Sequence, residues 1–144
     1  MHITELPAHA LLQAIRGREV SCREVMAATL ARIEAVNPAH NAIVSLRAAD
    51  TLLAEADQRD RELQDSSDAS AIGALHGLPQ AIKDAAQTAG LRTTFGSPLL
   101  RDHVPVRDGL MVERMKAAGC VVIGKTNTPE FGLGSHTFNE VFGV

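Results

Sequence analysis

Residues Gly73 to Gly90 read GALHGLPQAIKDAAQTAG and place Lys83 at the end of a short apolar run. The turn Gly77-Leu78 leads into Pro79, which suits the first residue of a strand because proline cannot donate to a ladder. A strand is therefore expected from Pro79 to Lys83. Side chains alternate across a strand, so Ala81 and Lys83 share one face while Ile82 and Asp84 take the other. Lys83 is thus not neutralised by its acidic neighbour. A lysine carried by an apolar strand into a dry pocket loses solvation of its charged form, so its amine can turn neutral and act as a base.

Beyond that strand, Gln87 to Leu99 is rich in Gly, Thr, Ser and Pro and reads as a long ordered loop of the kind that lines sites. Helix is expected to return from Val106 to Ala118, with Asp108 as its cap, Val112 and Met115 on one face, and Gly119 as the left-handed residue that ends it. Cys120-Val121-Val122-Ile123 then reads as a buried strand. Strand, helix and strand in that order imply a crossover unit with parallel strands, hence an α/β sheet.

Gly119 to Thr126, GCVVIGKT, matches the letters of a phosphate-binding loop. The physics opposes that reading. Such a loop follows a strand and needs free amides across its variable positions, whereas here a helix comes first and Cys-Val-Val-Ile would tie its amides into a ladder. Lys125, Thr126 and Asn127 are placed instead at the carboxyl end of the strand, where open α/β sheets hold ligands, with turn chemistry as the plainer explanation.

Upstream, Ala8 to Gly17 carries Leu11, Leu12 and Ile15 at helical spacing. Ser21-Cys22-Arg23-Glu24 is a capping box, in which a hydroxyl and a carboxylate satisfy free amides at a helix start. The helix it opens aligns Val25, Thr29, Ile33 and Val36 and is expected to end at Asn37-Pro38. Ala42 to Leu46 reads as a short strand or an extended connection. A third helix is expected from Arg47 to Gln64, with Ala49, Leu52, Leu53, Ala56 and Leu63 inward and its charges solvated. The polar stretch Asp65 to Ser70 then divides a helical arm, residues 1–70, from residues 71–144.

Two blocks carry a family resemblance. Gly77-Leu78-Pro79-Gln80-Ala81-Ile82-Lys83-Asp84, continued by Thr88-Ala89-Gly90-Leu91-Arg92-Thr93-Thr94-Phe95-Gly96-Ser97, resembles the lysine segment of the amidase signature family. Gly124-Lys125-Thr126-Asn127-Thr128-Pro129-Glu130-Phe131-Gly132 resembles the segment that follows it. The resemblance extends weakly through the amino-terminal helices. It implies an incomplete amidase signature fold: amino-terminal helices, then part of a mixed β-sheet packed with helices. It also implies hydrolysis of a carboxylic amide by a catalytic lysine, a serine held by a cis peptide bond and a serine nucleophile. Only the lysine carries over, to Lys83. The serines belong to a Gly-Ser-rich motif that does not occur before Val144, so the chain alone is expected to be inactive. No cofactor or metal is implied, the substrate is a small-molecule amide, and a homodimer is consistent with the resemblance for a complete protein. Thr128-Pro129-Glu130-Phe131-Gly132 resembles general amidases more than the amidase subunit of the tRNA-dependent amidotransferase, which is the alternative within the family. A noncatalytic interaction module is the alternative outside it, and predicts a cooperatively unfolding domain that docks through its helices.

Composition bounds these readings. At 144 residues with 45% hydrophobic content and a mean hydropathy of +0.01, the chain belongs to the globular class. A net charge of −3 and 3% aromatics give neither the basic stripe nor the stacking rings that a nucleic-acid partner needs. Cys22 and Cys120 lie far apart, so free thiols are expected rather than a disulfide or a zinc site. His2, His9, His40, His76, His103 and His136 show no metal-ligand spacing. Ser97 and Ser135 sit beside glycine without a nucleophile elbow and read as loop residues. With neither a signal peptide nor a membrane-length apolar run, a soluble cytoplasmic protein is expected.

Overall fold

The computed structural model describes residues 3–67 and 72–144. Four α-helices and a two-stranded parallel sheet follow the expected order: α1 (Ala8–Arg16), α2 (Cys22–His40), α3 (Ala49–Asp65), β1 (Pro79–Lys83), α4 (Leu110–Ala117) and β2 (Val121–Thr126). The capping box is present in full. The Ser21 hydroxyl accepts from the Glu24 amide at 3.1 Å, and Glu24 accepts from the Ser21 amide at 2.9 Å. Residues 68–71, where the expected boundary falls, lie outside the described residues.

Three boundaries differ from expectation. Helix α2 runs through Pro38 to His40. A proline this close to a helix end sacrifices a single ladder bond, and the final turn is held by other means. Asn41 takes the left-handed conformation, while the Asn37 side chain donates to the Ile43 carbonyl and accepts from its amide. Helix α4 begins at Leu110 behind Gly109 and has no side-chain cap. Asp108 is engaged elsewhere, accepting from the Ala89 amide at 2.7 Å and from Lys116 Nζ at 2.8 Å. Strand β2 continues past Ile123 through Gly124 and Lys125 to Thr126, which consumes the glycine and lysine of the apparent phosphate loop. Gly119, with φ of +94°, is left-handed as expected.

Strand β2 is the central element. On one side it pairs in parallel with β1, from Pro79 beside Val121 to Lys83 beside Thr126. On the other side the segment 42–47 runs antiparallel to it: Val44 donates to the Lys125 carbonyl at 3.0 Å and Arg47 to that of Ile123 at 2.9 Å. The segment is an extended connection, with one bridge between Ile43 and Thr126. It approaches β2 so closely that a Cβ on Gly124 would stand 2.5 Å from the Ser45 carbonyl oxygen.

The pairing contains a bulge. Gln80 pairs with Val122 and Ala81 with Gly124, so Ile123 is an extra residue. A bulge reverses the alternation of everything beyond it. Before it, Val121 points into the core made by α1, α2 and α3, as does Ile123 itself. Val122 joins Ile82, Val112 and Cys120 in a second cluster under α4. Beyond the bulge, Lys125 pairs with Ile82 and so falls on the α4 side, whereas Lys83 and Thr126 share the opposite face.

Candidate functional site

Lys83 stands at the carboxyl end of β1 and is exposed, while its neighbours Ile82 and Asp84 are buried. The alternation expected of this strand is therefore observed. The enclosing dry pocket is not: in the described residues Lys83 faces solvent rather than an apolar wall.

Asp84 organises the loop that follows. It is fully buried, and its carboxylate accepts from the Thr94 amide at 3.0 Å, from the Thr94 hydroxyl, and from the Gly96 amide at 3.4 Å. Its backbone is bonded on both sides, the amide to Thr126 and the carbonyl to Phe95, each at 3.0 Å. A buried carboxylate is tolerable when donors converge on it in this way. The loop is thereby tied back to the residue that follows Lys83. At its far end the Ser97 hydroxyl donates to Glu130 Oε1 at 2.6 Å, joining the two motif blocks.

Lys125 is the second buried ionic group. Its Nζ donates to the Ala86 carbonyl and, at 2.9 Å, to the Thr88 hydroxyl, and the whole residue is shielded from solvent. Burial pushes its ammonium down from 10.5 to about 8, against the attraction of Asp84 and Asp108 and aided by the repulsion of Lys116. Asp108 lies below the usual carboxylate range: burial would raise it, but bonds from Lys116 and the Ala89 amide outweigh that. Asn127, just past β2, accepts from Asn139 Nδ2 at 2.7 Å. Asn139 also accepts from the amides of Val141 and Phe142, which fixes the segment after the second motif block.

Of the residues singled out in the sequence, the structure brings Lys83, Thr126 and Asn127 to one end of the sheet. Lys125 lies on the other side of the same strands. Ser97 is buried and committed to Glu130, and Ser135 is exposed. Neither is set against a histidine. Both thiols are free and buried; burial and the adjacent Asp60 push Cys22 up to about 12, and burial raises Cys120. Sequence reasoning missed the Asp84 network and the burial of Lys125. Asp84 could have been found from its place on the Ile82 face. Nothing in the letters announced the bulge that turns Lys125 inward.

Open α/β sheets hold ligands at the carboxyl ends of their strands, and Lys83, Thr126 and Asn127 stand at that end here. Comparison with known proteins gives the family. The family model described as Amidase matches residues 24–144. The chain is 39% identical over 143 residues to a glutamyl-tRNA(Gln) amidotransferase subunit of Geotalea daltonii, covering 99% of the chain and 28% of that relative. Among solved structures, peptide amidase from Stenotrophomonas maltophilia superposes with a TM-score of 0.83 at 31% identity, over 96% of this chain and 29% of that one. Fatty acid amide hydrolase superposes with a TM-score of 0.89 at 25% identity, over 99% and 24%. The chain belongs to the amidase signature family. It spans under a third of the length of these relatives.

Proposed function

We propose that the chain supplies the lysine base of a serine amidohydrolase. Lys83 would drive proton movement through a serine hydroxyl. A second serine attacks the amide carbonyl, the C–N bond breaks as ammonia or an amine leaves with the proton, and water then releases the acid from the acyl-enzyme. Both serines and the oxyanion donors come from outside these residues. The observation that supports this reading is the position of Lys83: the last residue of β1, exposed, on the face opposite Lys125, in a chain of the amidase family. The complete protein would act in the cytoplasm on a small-molecule amide, as a homodimer, with no cofactor.

Purified alone, the 144-residue chain is expected to release no ammonia from simple amides. Combined with the remaining portion of an amidase signature relative, it should support turnover that Lys83→Ala abolishes. Restored turnover that survives Lys83→Ala overturns the assignment. A second reading, the ammonia-producing subunit of a tRNA-dependent amidotransferase, is favoured by the 39% identity to the Geotalea daltonii amidotransferase chain. A requirement for partner subunits and ATP separates the two.

A further inference from the structure

Among the described residues, Arg23, Arg47, Arg59 and Lys116 each meet a carboxylate. Lys125 instead meets neutral acceptors, the Ala86 carbonyl and the Thr88 hydroxyl. A buried ammonium is costly in such a setting, and a methionine would fill the same space without that cost. What the ammonium does is mechanical. Ala86 and Thr88 belong to the turn that leaves β1 immediately after Lys83, and Ala86 is itself bonded by its amide to the Lys83 carbonyl at 2.9 Å. Lys125 sits one register position back, beside Ile82.

We propose that Lys125 is a positioning residue for Lys83: its buried ammonium fastens the turn leaving β1 to β2 and so sets the direction in which Lys83 leaves the sheet. The inference rests on the reading of Lys83 as the base. The charged groups that face Lys125 are Asp84 after β1, and Asp108 and Lys116 at either end of α4. Loss of a proton from Lys125 removes its attraction to both aspartates and leaves a weaker donor on Ala86 and Thr88. The turn, and with it Lys83, therefore reports the ionisation of a residue on the opposite face of the strands.

NMR on the 144-residue chain with isotope-labelled lysine and backbone amides tests this. The Lys125 ammonium is expected to titrate near pH 8, and the amide signals of Lys83, Ala86 and Thr88 to move with the same midpoint. In Lys125→Met that midpoint should vanish from Lys83, and in Lys125→Arg, which keeps its charge, the Lys83 signal should hold its low-pH position throughout. Thr88→Val removes one acceptor with little change of shape; it should lower the Lys125 midpoint and weaken the response of Lys83, and it decides the matter if Lys125→Met does not fold. A Lys83 signal indifferent to Lys125 ionisation, or one that keeps the same midpoint in these variants, overturns the proposal. Dispensability of Lys83 in amide hydrolysis would overturn the catalytic reading and leave this coupling standing.

Discussion

Lys125 Nζ lies 2.9 Å from the hydroxyl of Thr88, 37 residues away in the chain, with both side chains buried. That contact joins the second strand to the loop beyond the first and makes a titrating group part of the core. The unfolded chain holds the Lys125 proton up to about pH 10.5 and the folded chain only to about 8. Between those values the unfolded state binds more protons, so stability rises as pH increases through this window. At about 1.4 kcal/mol per pKa unit, the rise attributable to Lys125 is about 3 kcal/mol. Urea denaturation at pH 7.5 and pH 10.5, compared between the natural chain and Lys125→Met, is expected to show this increment only in the former.

Asp84 holds three donors of one loop on a single buried carboxylate. Its replacement by alanine leaves the Thr94 amide and hydroxyl without their acceptor in a region closed to water, while the Gly96 amide keeps the Thr94 hydroxyl oxygen at 3.0 Å. Charge-assisted bonds of this kind contribute roughly 1.5–3 kcal/mol each, and the orphaned Thr94 amide adds to the loss. Asp84→Ala is expected to destabilise by about 3 kcal/mol or more, with hydrogen exchange accelerated first at Thr94.

Gly124 is required by proximity rather than by its backbone angles. An added Cβ would stand 2.5 Å from the Ser45 carbonyl oxygen and 2.9 Å from Leu46 Cα, both backbone atoms without freedom to retreat. Gly124→Ala should therefore cost about 2 kcal/mol by forcing the segment 42–47 off the sheet. Thermal denaturation reads the loss, and weakened protection of the Val44 amide locates it.

Ser21→Ala removes the helix cap of α2 and should cost about 1 kcal/mol. The same bonds give the chain an acid sensitivity. The amide and hydroxyl of Ser21 hold Glu24 below its ordinary 4.5, so the stabilisation is fully present above that value and is lost as pH falls through the lowered one. In Ser21→Ala this part of the acid transition should shrink to the share carried by the backbone amide of residue 21, as followed by helix ellipticity.

Lys83→Ala should leave the fold within about 0.5 kcal/mol of the natural chain, since the residue is exposed. Equal melting temperatures for the two chains check this. A large loss would make Lys83 a structural residue.

Much of this architecture was legible because it rests on local rules. The Ser21–Glu24 box, the apolar faces of α1 and α3, the proline that opens β1 and the left-handed Gly119 each follow from a few adjacent residues. What escaped depends on partners distant in sequence. Pro38 stays helical because Asn37 and Asn41 secure the turn around it. Asp108 was expected to cap α4 and instead bonds Ala89 and Lys116. The site divided in the same way. Lys83 and its face could be read from alternation, but whether a wall encloses it depends on residues that are not its neighbours, and the burial of Lys125 depends on a register that no local pattern encodes.

The extra residue at Ile123 gives β2 two opposite polarities. Its first half serves the oily interior by one parity and its second half serves the ionic end by the other, so a single strand links two layers that ordinary pleating would keep separate. Were the ladder regular, Ile123 would lie beside Ala81 and Lys125 beside Lys83, crowding two like charges onto one side of the sheet. One residue of surplus length thus keeps the pair of ammonium groups back to back, one sealed away and the other left at the surface.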